Sequence, residues 1–307
     1  MNIGVVFPGQ GSQNKSMLDT FEDSVIFNDT IDEGSNILGY EIRSVITEDD
    51  KINNTIYTQP LMLAVSYAMW KTLINEVNLK ISLGAGHSLG EYTALVANGT
   101  LGFKEGLLLV KKRAELMSKA MENVNGAMAA VIGLDGSEVE QLCKEISTDD
   151  AVVEAVNYNC PGQTVIAGHA SAIDNITTVL KNAGAKIVKK LPVSLAAHTS
   201  LLQDVSGQLE DELKNIKLSQ SSFDIVHNFD LSRGGTHDDL HKVLSQQVCS
   251  PVRWIETMEI FKSNNITHII EIGPGNVLSG LIKRFDKSVN TYSTKTIEDI
   301  KLTAQAL

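Results

Sequence analysis

A glycine-flanked serine near position 90 is the feature that most constrains how this chain can fold. Residues 86–90 have the sequence Gly-His-Ser-Leu-Gly, which fits the G-x-S-x-G pattern of a nucleophile elbow. In that motif the serine lies on a strained turn from a strand to a helix, and the glycines allow close backbone approach. An apolar run, residues 81–86, precedes the turn, and a segment with one apolar side follows it. The context favours a catalytic Ser88 over the alternative, a glycine-rich turn in which Ser88 only caps a helix.

The order of a strand, a glycine-rich turn and a helix occurs at two further places. Residues 3–7 form an apolar run that ends at Pro8-Gly9, and residues 268–272 form another that ends at Gly273-Pro274-Gly275. Both runs have the length and composition of buried strands. Together with the elbow they predict an α/β fold with a parallel sheet.

The pattern changes near residue 126, where a different unit begins. Its predicted strands and helices alternate as β-α-β-β-α-β, the order of a ferredoxin-like unit. The strands are expected at 127–134, 151–158, 164–167 and 185–191, and the helices at 137–146 and 171–182. We therefore predict an inserted ferredoxin-like subdomain at residues 126–194, with a larger subdomain built from residues 1–125 and 195–307.

Net charge, apolar runs and cysteine content indicate which kinds of partner and which cellular compartment to expect. The net charge of −11 argues against nucleic acid as a partner. No apolar run reaches the roughly 18–20 residues that cross a bilayer, and residues 1–7 lack the features of a signal peptide, so we expect no membrane and a cytoplasmic location. Three widely spaced cysteines, Cys143, Cys160 and Cys249, predict neither a disulfide framework nor a metal site.

The turn at residues 9–12 is a candidate for the second half of an oxyanion hole. An amide from a loop after another strand is the usual partner of the amide that follows the elbow serine. The alternatives are a phosphate-binding loop and a plain tight turn. The loop is neither a Walker A motif nor a dinucleotide fingerprint, because no Gly-Lys-Ser/Thr follows and the third glycine is missing.

A serine nucleophile needs a base, and spacing alone does not choose it. His87 adjoins Ser88, but neighbouring side chains diverge on a sharp turn. His198 follows the small residues Ala196 and Ala197, as a histidine that faces a cavity would, although a structural histidine fits the same pattern. The other histidines are His169, His227, His237, His241 and His268.

Arg113 is the candidate anion-binding residue. On a helix over 103–121 it falls just beside the apolar stripe, which predicts a semi-buried guanidinium. Such a group binds a carboxylate in bidentate fashion. The alternative is an arginine that extends from the edge of the core to solvent.

In these motifs the chain resembles the malonyl-CoA:acyl carrier protein transacylases of bacterial type II fatty acid synthesis. The resemblance extends from Phe-Pro-Gly-Gln-Gly-Ser-Gln at 7–13 to Glu-Ile-Gly-Pro-Gly at 271–275, and includes Gly-His-Ser-Leu-Gly-Glu at 86–91. It implies an α/β-hydrolase-like core with a ferredoxin-like insert. It also implies ping-pong transfer of malonyl from malonyl-CoA to an acyl carrier protein through a malonyl-serine ester, supplying fatty acid elongation. Coenzyme A thioester is then a substrate, and no cofactor or metal is expected.

The resemblance assigns a role to each matching position. It implies that Ser88 is the nucleophile, His198 the base and Arg113 the group that holds the malonyl carboxylate. It implies that the main-chain carbonyl of Gln247 orients His198, which makes a dyad rather than a triad. The oxyanion hole is assigned to the backbone amides of Gln10 and Leu89.

Some questions stay open at this stage. Some malonyl-selective relatives have phenylalanine before the base histidine, whereas this chain has Ala197, which leaves room for methylmalonyl. The basic pairs Lys189-Lys190 and Lys283-Arg284 are candidates for docking an acidic carrier, with ordinary solvated surface as the alternative. Alternative functions are a serine hydrolase, a non-catalytic carrier-binding protein and a polyketide-pathway acyltransferase acting in trans.

Overall fold

The computed structural model describes residues 2–193, 195–234 and 237–307, without the side chains of residues 237 and 238. Ser194, which ends the predicted insert, and the side chain of the candidate base His237 therefore lie outside the described residues. The strands are β1 (Ile3–Phe7), β2 (Ile81–Gly86), β3 (Gly126–Ile132), β4 (Val153–Cys160), β5 (Gln163–His169), β6 (Ile187–Lys190), β7 (Ile225–Val226), β8 (His268–Glu271) and β9 (Asn290–Ser293). The helices are α1 (Val25–Leu38), α2 (Ile42–Thr47), α3 (Asp49–Ile52), α4 (Thr55–Glu76), α5 (Gly90–Ala97), α6 (Phe103–Ala120), α7 (Gly136–Ile146), α8 (Ala170–Asn182), α9 (Gln203–Leu213), α10 (His237–Gln247), α11 (Trp254–Ser263), α12 (Val277–Phe285) and α13 (Ile297–Ala306).

A five-stranded parallel sheet in the order β7-β2-β1-β8-β9 forms the centre of the molecule. All five residues of β1 are buried, as expected for the middle strand of a sheet covered on both faces. Ile3, Val5 and Phe7 pack into one hydrophobic cluster, whereas Val6 packs into another on the opposite face. The predicted α/β fold with a parallel sheet is confirmed.

A separate four-stranded antiparallel sheet has the order β4-β5-β3-β6. Its strands alternate with α7 and α8 in the predicted β-α-β-β-α-β order, and both helices bury apolar residues against it in a cluster of their own. The division of the chain into subdomains at 126 and 194 stays a prediction. Across the described ranges, none of the helices combines the length and apolarity of a membrane span.

Strand register positions the elbow beside the first glycine-rich loop. β1 and β2 are parallel neighbours, and their last residues, Phe7 and Gly86, are paired. Because parallel strands end at the same edge of a sheet, the loops that follow them adjoin. A Cβ at Gly90 would lie 2.0 Å from the Phe7 carbonyl oxygen, so this approach requires glycine.

Candidate active site

Ser88 lies on the tight turn between β2 and α5, with a φ of 52°. The turn is closed by a hydrogen bond from the Gly90 amide to the His87 carbonyl (2.9 Å). A Cβ at Gly86 would lie only 1.9 Å from the carbonyl carbon of Gly90. The two glycines of the motif therefore permit the crossing of backbone that exposes the serine, as a nucleophile elbow requires.

The structure places His198 beside Ser88. His198 Nε2 is 2.7 Å from Ser88 Oγ, while Nδ1 is 2.9 Å from the carbonyl oxygen of Gln247 and 3.1 Å from that of Ser250. Both carbonyls can only accept, so Nδ1 bears the hydrogen and Nε2 is free to accept the hydroxyl proton. Burial, followed by the nearby charge of Arg113, lowers the pKa of His198 to about 3. The imidazole is consequently a neutral acceptor aimed at the hydroxyl.

Arg113 is buried rather than semi-buried, with 1% of its surface exposed. Helix α6 packs against α4, and the guanidinium, which the helical pattern alone places at the edge of the core, lies among Gln59 of α4, Tyr92 of α5 and Gln247 of α10. Nη1 donates to Gln59 Oε1 (2.7 Å), and Nη2 donates to Gln247 Oε1 (3.1 Å) and lies 3.4 Å from Ser88 Oγ. Burial lowers the pKa of Arg113, although arginine stays charged in proteins. A buried cation thus faces the hydroxyl with neutral partners only.

A cavity of about 360 Å³ brings these groups together. Its walls include Gln10 and Leu89 as well as Ser88, Arg113 and His198. Among the described residues, the backbone amides of Gln10 and Leu89 have no hydrogen-bond partner. The cavity therefore combines an activated hydroxyl, two available amides and a guanidinium, a set that suits acyl transfer from a substrate with a carboxylate.

A buried layer of polar side chains lies beneath Ser88, and the sequence patterns do not predict it. Asn228 accepts a hydrogen bond from the Ser88 amide (2.7 Å) and donates to the Gly86 carbonyl (2.7 Å). Glu91, with no exposed surface, accepts from His227 Nδ1 (2.7 Å), the Asn228 amide (3.1 Å) and Gln247 Nε2 (2.8 Å). The one available signal was a carboxylate at Glu91 on a helix whose neighbouring residues are apolar or small.

His227 and Gln59 complete this layer. Burial lowers the pKa of His227, but the hydrogen bond and charge of Glu91 outweigh burial, and the pKa is raised overall. Gln59 is 1% exposed on α4 and holds Arg113. No sequence pattern pointed to either residue, because each acts on a partner from a distant segment.

The other candidate bases that the structure describes point elsewhere. His87 Nε2 bonds to Asn159 Oδ1 (2.8 Å), and its ring packs 5.3 Å from that of Trp254. His169 Nδ1 accepts from the Val152 amide (2.9 Å). Of the histidine side chains that the structure describes, His198 is the one in hydrogen-bond contact with Ser88.

The predicted docking pairs lie on the surface, one on β6 and one on α12. Lys189 is exposed, and Lys190 forms an ion pair with Asp174 (2.6 Å). Lys283 is exposed, and Arg284 donates to Gln163 Oε1. Within the described part of the chain, no group of three or more His, Cys, Asp or Glu is arranged to hold a metal ion.

Comparison with known proteins gives one consistent result. Residues 5–300 match the family described as acyl transferase domain. The malonyl CoA-acyl carrier protein transacylase of Staphylococcus aureus strain COL is 37% identical over 301 residues, covering 97% of this chain and 96% of that protein. The structure of the corresponding transacylase from Coxiella burnetii has a TM-score of 0.97 at 34% identity, covering 100% of this chain and 98% of that one. A malonyl-transacylase solved in complex with its type II polyketide synthase acyl-carrier protein has a TM-score of 0.95 at 36% identity, covering 99% of both chains.

Proposed function

Because this chain belongs to the acyl transferase domain family, among its malonyl-CoA–acyl carrier protein transacylases, we propose that it moves malonyl from malonyl-CoA to an acyl carrier protein. The reaction is ping-pong and passes through a malonyl ester of Ser88. The observation that carries the proposal is the meeting of Ser88, His198 and Arg113 in one cavity, with 2.7 Å between the hydroxyl and the imidazole.

In the first half-reaction, Ser88 Oγ attacks the thioester carbon of malonyl-CoA. His198 Nε2 accepts the hydroxyl proton, and the carbonyls of Gln247 and Ser250 stabilise the imidazolium that forms. Collapse of the tetrahedral intermediate breaks the carbon–sulfur bond. His198 returns its proton to the departing thiolate, so coenzyme A leaves as the thiol.

The tetrahedral intermediate carries a negative charge on the former carbonyl oxygen. We assign this oxyanion to the amides of Gln10 and Leu89, which belong to cavity-lining residues and have no hydrogen-bond partner among the described residues. Donors of this kind are worth about 3–4 kcal/mol each in a comparable enzyme. Leu89 supplies the elbow amide and Gln10 the amide of the adjoining loop.

In the second half-reaction, the phosphopantetheine thiol of the carrier attacks the malonyl ester. His198 accepts the thiol proton, and then donates it to Ser88 Oγ as the ester bond breaks. Malonyl ends on the carrier thiol, and the enzyme returns to its starting state. Coenzyme A thioester is a substrate here, and no separate cofactor takes part.

Arg113 selects an acyl group that ends in a carboxylate. Its guanidinium is buried, and Nη2 lies close to Ser88 Oγ, where the acyl group would be attached. A buried guanidinium without an anion is costly, so binding of malonate is favoured over binding of a neutral acyl group. We further propose that the enzyme supplies fatty acid elongation in the cytoplasm.

Mass spectrometry of the intact protein tests the proposal. After exposure to malonyl-CoA, the protein should gain the mass of one malonyl group on Ser88 and lose it again when holo carrier is added. Hydrolysis of the malonyl ester without carrier, as fast as its loss when carrier is present, would indicate a serine hydrolase. Absence of any adduct would indicate a non-catalytic carrier-binding protein.

A further inference from the structure

A buried carboxylate, Glu91, is connected to Arg113 through one side chain. Gln247 Nε2 donates to Glu91 Oε2 (2.8 Å) and to the Ser88 carbonyl (2.8 Å), while Gln247 Oε1 accepts from Arg113 Nη2 (3.1 Å). Glu91 and Gln247 have no exposed surface, and Arg113 has 1%. The amide therefore lies between an anion and a cation, away from solvent.

Only one orientation of this amide satisfies both neighbours. With the nitrogen towards Glu91 and the Ser88 carbonyl, every contact pairs a donor with an acceptor. A rotation of half a turn would place the amide nitrogen against the guanidinium and the amide oxygen against the carboxylate. Mismatched polar groups are especially unfavourable in a buried site, where no water can replace the lost partner.

We propose that Glu91 is a positioning residue for malonyl selection, because its carboxylate fixes the Gln247 amide so that Oε1 holds Arg113 in place for the substrate carboxylate. The inference rests on the proposed function, since it concerns the same site. Glu91 touches neither the cavity nor Arg113, and it acts through Gln247.

The remaining contacts of Glu91 support this role. His227 Nδ1 and the Asn228 amide donate to its two oxygens, so the carboxylate is held in position from the side opposite Gln247. Burial lowers the pKa of Arg113, and the charge of Glu91 is among the influences that raise it. In the described part of the chain, the hydrogen-bond acceptors of Arg113 are all neutral, from Gln59, Gln247 and Ser88. Among the described residues the guanidinium thus has no anionic hydrogen-bond partner and stays open to the substrate carboxylate, while Glu91 fixes one of its neutral partners, Gln247.

The test compares Glu91→Gln with the wild type on malonyl-CoA and acetyl-CoA. We expect kcat/KM for malonyl-CoA to fall by about ten- to a hundredfold, mainly through KM, because a charged group that can only accept is replaced by a neutral amide that can turn either its oxygen or its NH2 group toward Gln247. For acetyl-CoA it should change by less than about threefold, since that substrate does not need Arg113. The rate at which phenylmethanesulfonyl fluoride, a neutral reagent, labels Ser88 should change as little. Parallel losses with both substrates, or an unchanged ratio, would overturn the inference.

Glu271→Gln is the matched control. Glu271 is also a fully buried glutamate, but it accepts from the amides of Leu278 (3.1 Å) and Ser279 (2.7 Å) at the start of α12. The Glu271→Gln variant should have a lower melting temperature but the same ratio of malonyl to acetyl transfer as the wild type. If thermal unfolding shows that Glu91→Gln is not folded, the test uses Glu91→Asp instead. The shorter aspartate keeps the charge but moves the carboxylate away from Gln247.

A double variant separates action through Gln247 from a direct effect. Gln247→Met removes the amide but keeps the main-chain carbonyl that faces His198. Glu91→Gln combined with Gln247→Met should lose no more malonyl preference than Gln247→Met alone, whereas independent effects would multiply. A wild-type enzyme that forms no malonyl ester on Ser88 would refute the proposed function. If the wild type forms the malonyl ester but the Glu91 variants keep the preference for malonyl-CoA over acetyl-CoA, only the role of Glu91 is refuted.

Discussion

Ser88 Oγ and His198 Nε2 are 2.7 Å apart although 110 residues separate them in the chain. Both residues have left-handed backbone conformations, with φ of 52° and 65°. Such conformations cost about 1–3 kcal/mol each in residues other than glycine. Each backbone amide has a partner, since the Ser88 amide donates to the side-chain oxygen of Asn228 (2.7 Å) and the His198 amide donates to the Val248 carbonyl (3.0 Å). The fold therefore stabilises two residues with strained backbones whose side chains face each other.

Replacing Ser88, the proposed nucleophile, should abolish transfer. Ser88→Ala removes the hydroxyl that is hydrogen-bonded to His198 Nε2, and we expect the rate to fall by about a millionfold, as in other serine enzymes that lose the nucleophile. Ser66→Ala, which alters a fully buried serine on α4, is the control and should transfer malonyl normally. Transfer assays with a radiolabelled malonyl group measure both. Normal transfer by Ser88→Ala would refute the proposed mechanism.

Neutralising Arg113 should remove the preference for malonyl. Arg113→Met keeps much of the buried volume but loses the cation, so kcat/KM for malonyl-CoA should fall by about a hundredfold or more. The effect on acetyl-CoA should be much smaller. Lys112→Met is the control, because the neighbouring Lys112 pairs with Glu212 at the surface (3.3 Å). Equal losses with malonyl-CoA and acetyl-CoA would show that Arg113 has another task.

The pH dependence of Ser88 labelling should reflect the shielded imidazole. Burial and then Arg113 lower the pKa of His198 to about 3, so it stays a neutral base where an exposed histidine is protonated. Labelling by phenylmethanesulfonyl fluoride should hold level from about pH 8 to about pH 5. In Arg113→Met the pKa should rise and the acidic fall in rate should move to higher pH. A fall near pH 6.5 in the wild type would contradict this reasoning.

The lowered pKa of His198 should also make the free energy of unfolding depend on pH. The unfolded chain takes up a proton at His198 near its ordinary pKa of 6.5, whereas the folded chain does so only near 3. The unfolded state binds more protons between these values, so the free energy of unfolding falls as pH drops through that window. His198→Gln should lose this part of the pH dependence in urea unfolding measured from about pH 7 to about pH 4. An identical slope in both proteins would contradict it.

Ala197 should control the size of the accepted acyl group. It lines the cavity next to His198, where a larger side chain would reduce the space proposed for the acyl group. Ala197→Phe should therefore lower methylmalonyl transfer by about tenfold relative to malonyl transfer, a typical effect of a lost small group in a pocket. Competition between the two CoA thioesters measures the ratio. An unchanged ratio would show that the methyl group lies elsewhere.

Carrier docking should depend on the two basic pairs. Replacing Lys189, Lys190, Lys283 and Arg284 by glutamate should raise the KM for the carrier by about tenfold and weaken its salt dependence. The first half-reaction does not involve the carrier, so malonylation of Ser88 should proceed at its normal rate. Replacing four other exposed lysines, Lys80, Lys119, Lys217 and Lys301, by glutamate is the control, because it changes the net charge by the same amount. An unchanged carrier KM would exclude these pairs as the docking site.

The predicted strands of the parallel sheet agree closely with the structure, whereas one helix start does not. The predicted bounds of β1 at 3–7 and β2 at 81–86 are confirmed. The apolar residues between 61 and 73 predict a helix over about residues 59–77, but α4 begins at Thr55, because the side chain of Asn54 accepts a hydrogen bond from the Ile56 amide (3.1 Å) and caps the helix earlier. Apolar runs define strands well, while a cap depends on one side chain that an apolar pattern does not reveal.

The sequence by itself determined the elbow, the parallel core and the alternating order of the second sheet, because hydrophobic period and glycine turns act within a few residues. It placed Arg113 beside a helical stripe but could not choose among seven histidines without the family resemblance. Only the tertiary structure decided that Glu91 lies against Gln247, and that Gln59 reaches Arg113 from another helix. These contacts join segments 54 to 156 residues apart, and their geometry depends on how whole elements pack.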